Sequence, residues 1–352
     1  MKVAFDAKRY YHNNTGLGNY SRTLVNDLTS QYNDVEAMLY DCKSIERTFQ
    51  LGRRAAKEGC VLFHGLSNEL PRDILKAGIP SIVTMHDVAW RTFHAMYKPW
   101  DRLIYDWKYG WSARHATHVV CISQSTKHDV MRFYGVPEER ISVIYQSVGK
   151  QYYTQMNDND AATMVERALP YLNGRPYVLT VGSINSRKNL LNMVKAYATL
   201  PANDRPVFVV VGNGREYRKK VEEYIREKNL QQDIHIESNI HDGRVLQALY
   251  TKALLLMYPS FYEGFGLPVV EASLQRCPVI TSNVSSLPEA AGESAVQCNP
   301  ESVEELADAL RMLLKDESER VRIGKESYDH CMRMFHPETL TRQMYELYTS
   351  LC

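Results

Sequence analysis

The sequence predicts an α/β protein made of two Rossmann-like, doubly wound parallel-sheet domains. Three observations carry this. The chain has 352 residues, too many for one ordinary core and suited to two domains of about 150–200 residues each. Short β-rich runs alternate with helical patterns throughout, as strand–helix–strand units require. Most of those runs are continuously apolar rather than alternating, as expected of parallel strands buried on both faces.

In order, strands are expected at residues 3–7, 35–40, 61–64, 81–85, 118–122 and 141–145, then at 177–181, 207–211, 234–237, 254–258, 279–282 and 295–298. Helical patterns fall between them, for example at 20–30, 188–200, 216–228 and 303–314. Strand patterning stops over 150–176, a stretch holding the polar run Asn157-Asp158-Asn159-Asp160 and later Asn173-Gly174-Arg175-Pro176. The expected domains are therefore 1–165 and 173–336. His336-Pro337 interrupts the chain before a last helix at 337–352.

Bulk composition narrows the function classes. Hydrophobic content of 44% and charged content of 24% are those of a soluble globular protein. A formal charge of +1 gives no global reason to expect a nucleic-acid partner. The seven cysteines are scattered, and no C-x-x-C pair exists. That favours reduced thiols over a disulfide framework or a zinc site. Strand-like sequence starts at Lys2, so no signal peptide is expected. No apolar run reaches the ~18–20 residues of a membrane span. A cytoplasmic protein is expected, with any membrane association peripheral at the inner membrane.

The segment Glu263-Gly264-Phe265-Gly266-Leu267-Pro268-Val269-Val270-Glu271 is the most informative. Pro268 suits the first turn of a helix, where its missing N–H is no loss. The amides of Gly264, Phe265, Gly266 and Leu267 would then sit at a helix N-terminus, suited to an anion or to sugar oxygens. Glu271, one turn in, can accept both hydroxyls of a ribose. Glu263, in the turn, can reach whatever the phosphates carry. A loop glutamate and a helix-start glutamate without chemistry are the plain alternative, less attractive for the pair than for either residue alone. Upstream, Val181-Gly182-Ser183-Ile184-Asn185-Ser186-Arg187-Lys188-Asn189 follows an expected strand and opens a helix. Arg187 and Lys188 would offset the charge that grows on a diphosphate leaving group.

The Glu263–Glu271 segment resembles the E-x7-E signature of the retaining glycosyltransferases of family 4, which have the GT-B fold. Other segments agree in the right order along almost the whole chain. The resemblance implies two domains facing a cleft, a donor on the second domain, an acceptor on the first, and a C-terminal helix packing back onto the first domain. Lys188 matches the family lysine, whereas Ser183 stands where the family commonly has arginine. The Gly-x-x-x-x-Arg-Lys-Asn form is similar to a mannosyltransferase-like branch.

Further positions are expected to matter through the same resemblance. Gly212, after the strand at 207–211, would wall the nucleotide pocket. Asn239 and Ile240 resemble the segment that reads the base. Gly16 and Gly18 resemble the family's glycine loop facing the donor phosphates; a hinge without chemistry explains them as well. His86 is expected to hydrogen-bond a sugar hydroxyl or the acceptor, with Asp87 restraining its ring and Ser123 a weaker candidate of that kind. Ile144-Tyr145-Gln146-Ser147-Val148 departs from the turn usual in the family at this point.

All four tryptophans lie within 90–111, and residues 91–114 hold five Lys/Arg against two Asp. Trp100, Leu103, Ile104, Trp107 and Trp111 fall on one helical face. Packing in the first-domain core is the preferred reading. Contact with an anionic membrane surface is the other.

The expected activity is retaining, metal-independent transfer of a hexose from a nucleotide diphosphate sugar, GDP-mannose being favoured, to a glycan or lipid-linked glycan acceptor in bacterial surface polysaccharide synthesis. No cofactor beyond the donor substrate and no metal site is expected. A nucleotide-sugar epimerase and a non-catalytic subunit of an assembly complex are the alternatives. A glycosidase using both glutamates is disfavoured, since it leaves Arg187-Lys188 without a purpose.

Overall fold

A computed structural model describes residues 1–13 and 15–352. The chain forms two compact units: residues 1–147 with 335–352, and residues 148–334. Each has one six-stranded parallel sheet.

The first sheet contains β1 (Lys2–Asp6), β2 (Glu36–Tyr40), β3 (Leu62–Gly65), β4 (Ser81–Met85), β5 (His118–Cys121) and β6 (Ile141–Val143), in the order β2-β1-β3-β4-β5-β6. The second contains β7 (Tyr177–Val181), β8 (Val207–Val211), β9 (Ile234–Glu237), β10 (Leu255–Tyr258), β11 (Val279–Ser282) and β12 (Val296–Cys298), in the order β12-β11-β10-β7-β8-β9. All twelve expected strands are present. β3, β4, β8, β10 and β11 are buried along their whole length, which is why their sequences read as continuous apolar runs. In the second sheet the order reverses between β7 and β10. Open α/β sheets bind ligands at such a switch point, beyond the carboxyl ends of the strands.

Residues 148–165 were assigned to the first domain from sequence, but they group with the second unit. Helix Asp158–Ala168 packs on helix Gly243–Lys252. Buried Gln247 donates through Nε2 to the carbonyls of Gln151 (2.9 Å) and Thr154 (2.7 Å), and Gln275 donates to that of Tyr152 (2.7 Å). These bonds span nearly a hundred residues or more, so local pattern gives no hint of them. Helix Pro337–Leu351 joins the first unit. Tyr345 stacks on Tyr32 with centroids 3.7 Å apart, and the Tyr348 hydroxyl meets His64 Nδ1 at 2.5 Å.

The tryptophan-rich segment differs from the core reading. Helix Pro99–Tyr105, a π-helical turn at Asp106–Gly110 and helix Trp111–His115 run on continuously. Trp90 is buried, but Trp100, Leu103, Ile104 and Trp107 are exposed. The inward face is taken instead by Tyr105 and Tyr109, stacked on each other at 5.3 Å and packed edge-on against Trp90. Periodicity identified the apolar stripe but not whether anything covers it.

Candidate functional site

The loops after β7 and β10 converge. After β7, Asn185 caps a tight turn at Ser186–Lys188, accepting from the Lys188 N–H at 3.2 Å. Asn189 then adopts a left-handed conformation (φ 63°), so the expected helix at 188–200 begins only at Leu190. Buried Asn189 donates through Nδ2 to the carbonyls of Pro259 (3.0 Å) and Pro300 (2.7 Å), and the Phe261 N–H donates to the Arg187 carbonyl (2.9 Å). The two loops are thereby fastened edge to edge.

That fastening brings Arg187 and Lys188 onto Glu263. Arg187 Nη1 lies 2.7 Å from one carboxylate oxygen and Lys188 Nζ 2.6 Å from the other. Arg187 also donates to the Tyr262 carbonyl (2.5 Å), and Lys188 donates to the Tyr258 hydroxyl. Burial works to raise the Glu263 carboxyl, but the Lys188 and Arg187 charges outweigh it and bring its pKa down to about 2. Glu263 is therefore ionised at any physiological pH. Two cations against one carboxylate leave about one net positive charge to offer an anion.

The turn itself is tightly held. The Glu263 N–H donates to Ser285 Oγ (3.0 Å), and Ser286 Oγ donates to the carbonyls of Glu263 (2.9 Å) and Phe265 (2.8 Å). Gly266 caps helix Leu267–Leu274 at φ 118°, where a Cβ would also come within 2.8 Å of Leu287. Phe265 is buried, so its side chain serves packing. Glu271, partly buried in that helix, accepts from the Tyr250 hydroxyl at 2.9 Å. Burial pushes its carboxyl up to about 7 against that hydrogen bond.

Gly182 and Gly212 close the floor after β7 and β8. The Ile184 N–H donates to the Asn213 carbonyl at 2.7 Å, and a Cβ on Gly212 would lie 1.8 Å from the Gly182 carbonyl oxygen. Gly212→Ala should therefore cost about 1–3 kcal/mol of stability, read from denaturant unfolding. An unchanged midpoint would mean the two loops separate freely. Asn239 and Ile240 lie beyond the edge strand β9. The preceding Ser238 ties this end of β9 to the floor, its Oγ donating to the Gly212 carbonyl at 3.4 Å and accepting from Arg218 at 2.6 Å.

The first-unit candidates have their own settings. Gly16 opens helix Gly16–Gln31, and Asn13 Oδ1 accepts from the N–H groups of Thr15 (2.8 Å) and Gly18 (3.2 Å). A Cβ on Gly18 would meet the Asn13 carbonyl oxygen at 1.8 Å, so a close backbone approach explains that glycine. His86 is buried, and its Nε2 lies 2.8 Å from the Leu66 carbonyl. A carbonyl only accepts, so the proton sits on Nε2 and Nδ1 is the acceptor nitrogen. Burial lowers its pKa to about 4, so the ring stays neutral. Asp87 Oδ1 accepts from the Ala89 N–H (3.2 Å), capping the next turn, while Leu66 orients the imidazole. Ser123 is fully buried as the cap of helix Gln124–Tyr134, accepting from the Thr126 N–H at 3.0 Å. That role takes its hydroxyl away from any substrate. Among the described residues, no three His, Cys, Asp or Glu side chains converge where they could hold a metal ion.

Two family models cover most of the chain: "Glycosyltransferase Family 4" over residues 43–149 and "Glycosyl transferases group 1" over 166–330. The chain belongs to the family 4 glycosyltransferases. It is 28% identical to the O-antigen chain mannosyltransferase B of Escherichia coli over 74% of this chain and 66% of that one. It is 26% identical to the O-antigen chain mannosyltransferase RfbU of Salmonella typhimurium over 65% and 62%. The match thus spans just under two thirds of those relatives' own length. Among solved structures, the fold matches sucrose-phosphate synthase from Thermosynechococcus elongatus (TM-score 0.79, 19% identity, 100% of this chain and 99% of that one). It also matches Anabaena Alr3699/HepE in complex with UDP and glucose (TM-score 0.77, 16% identity, 99% of each chain). The two sheets are those of a GT-B glycosyltransferase.

Several residues that hold this candidate site together were missed from sequence. Asn189, Tyr258, Tyr250, Ser285 and Ser286 each hold a candidate residue or its loop. Asn189 was visible beside Arg187-Lys188. The tyrosines and serines had no local signal, since each sits in an ordinary helix, strand or turn.

Proposed function

We propose that this chain moves a mannosyl residue from a nucleotide diphosphate sugar of the GDP-mannose type to a glycan or lipid-linked glycan acceptor during surface polysaccharide synthesis. The observation that carries the reading is the pairing of Arg187 and Lys188 on one ionised carboxylate, Glu263, at the β7/β10 switch point, with Glu271 one helix turn beyond. The mannosyl assignment is supported by the two relatives above, both named as O-antigen chain mannosyltransferases.

The chemistry follows from the charges. A diphosphate arriving at the switch point meets two pre-positioned cations. As the glycosidic bond breaks, negative charge grows on the leaving phosphate, and Arg187 and Lys188 stabilise it without having to reorganise. Sharing those cations with phosphate releases Glu263 to accept sugar hydroxyls. Glu271 accepts from the ribose. These cations are proposed to do the work a metal does elsewhere, so activity should survive EDTA. Retention of anomeric configuration is proposed from the family resemblance and is read by NMR of the first-formed product. Both oxygens of Glu263 are ion-paired, one to Arg187 and the other to Lys188, which makes it a poor nucleophile and weighs against a glycosidase.

The test is calorimetry of the purified protein with GDP, UDP and ADP and their mannose or glucose conjugates. Saturable binding to GDP-mannose, followed by transfer to a mannose-containing acceptor, supports the reading. Binding of UDP-glucose alone overturns the donor. An altered nucleotide sugar released without acceptor identifies an epimerase.

Glu271→Gln should weaken nucleotide binding by roughly 1.5–3 kcal/mol, the value of a hydrogen bond to a charged group. Affinity in the wild type should rise from pH 6 to pH 8, because its carboxyl titrates near 7 and the ionised form is the better acceptor. Titrations at those pH values check both, and a pH slope that persists in the variant assigns it to another group.

A further inference from the structure

We propose that the first unit docks on an anionic lipid surface through the face of helix Pro99–Tyr105 and its π-turn, with Trp100, Leu103, Ile104 and Trp107 entering the headgroup layer. These side chains are 76%, 60%, 48% and 57% exposed, a concentration of large apolar groups that water disfavours. They lie at three- and four-residue spacing, so they form one stripe rather than scattered exposures. Indole and branched aliphatic side chains are suited to the boundary between headgroups and acyl chains.

Charge selects the occupant. Lys98, Arg102 and Lys108 belong to the same segment. Arg72 lies between the rings of Trp107 (3.9 Å) and Trp111 (4.2 Å) and donates to the Trp107 carbonyl at 3.0 Å. Of the two acids in the segment, Asp106 is engaged inward by Arg91 (2.7 Å) and the Trp90 indole N–H (2.8 Å). The neighbouring Arg114 charge adds to burial in holding Arg72 below its ordinary pKa. Asp101 in the same helix and Glu69, 3.7 Å from Lys108 Nζ, offset part of this charge, but Lys98, Arg102, Lys108, Arg72 and Arg114 outnumber them and leave the face net positive. A second copy related by a two-fold axis would bring like charges together, since such an interface is self-facing. Phosphatidylglycerol-type headgroups complement the cations instead, at about 1 kcal/mol per Lys or Arg near the surface.

The experiment is flotation of the full chain with phosphatidylcholine vesicles, with and without phosphatidylglycerol. The tryptophan emission is followed alongside. Binding is expected only with phosphatidylglycerol, with a blue shift and weakening at high salt. Trp100→Gln/Leu103→Gln/Ile104→Gln should lower partitioning at least about tenfold while leaving the melting temperature unchanged, since all three side chains are exposed. Trp107 is kept because Arg72 stacks on it. Lys98→Glu/Arg102→Glu should lose binding with the stripe intact. The proposal is overturned by absence of wild-type binding, by equal partition onto neutral vesicles, or by a triple variant that floats like wild type. A wild-type dimer that the triple variant dissolves into monomers, without vesicle binding, overturns it by assigning the face to a second copy. No step reads glycosyl transfer, so the result stands apart from the donor assignment.

Discussion

Lys188→Ala is expected to lower kcat/KM by on the order of 10²–10³-fold, the loss seen when one pre-positioned charge stabiliser is removed. The fold should survive. Arg187 remains 2.7 Å from Glu263 and still neutralises it, and Asn189 still fastens the two loops. The decisive comparison is transfer rate beside melting temperature. Near wild-type turnover in a folded variant would remove Lys188 from the leaving-group role. A collapse of both quantities together would make it a structural residue.

Glu263→Gln should have the largest effect on stability. The amide keeps the shape but leaves Arg187 and Lys188 without a counter-charge at a buried position, which costs about 3–5 kcal/mol. The pH dependence has a definite sign. The folded carboxyl sits at about 2 against an ordinary 4.5. A depressed carboxyl stabilises above its unfolded pKa and loses that contribution as pH falls through the folded one. The difference corresponds to about 3 kcal/mol at neutral pH. Guanidinium melts of wild type and variant should therefore differ most above pH 4.5 and converge toward pH 2. A gap independent of pH would show that the carboxylate charge is not what holds the cluster.

The strands were legible because buried parallel strands must be continuously apolar, and the glycine and proline signals around Gly266 and Pro268 have local causes. Arg187, Lys188, Glu263 and Glu271 were legible as residue types at strand ends. What brings them together was not. Tyr258 and Tyr250 lie 70 and 21 residues from the groups they contact, and Asn189 reaches 111 residues to Pro300. Hydrogen bonds of that span follow from sheet order, which a single sequence does not encode locally. Ser123 shows the converse. A serine at a strand end reads equally well as a ligand contact or a helix cap, and only its burial decides.

The last helix gives the chain an awkward order of manufacture. Tyr348 and Met344 are fully buried in a unit whose residues, apart from 335–352 themselves, all precede Val148. On a ribosome, the first unit emerges early and then waits, its seat for those side chains empty, while the entire second unit is translated. At about 5–20 residues per second that interval is on the order of ten seconds or more. During it the unfilled seat is open to chaperones or to wrong partners, and premature termination would spoil the half of the protein that was made first.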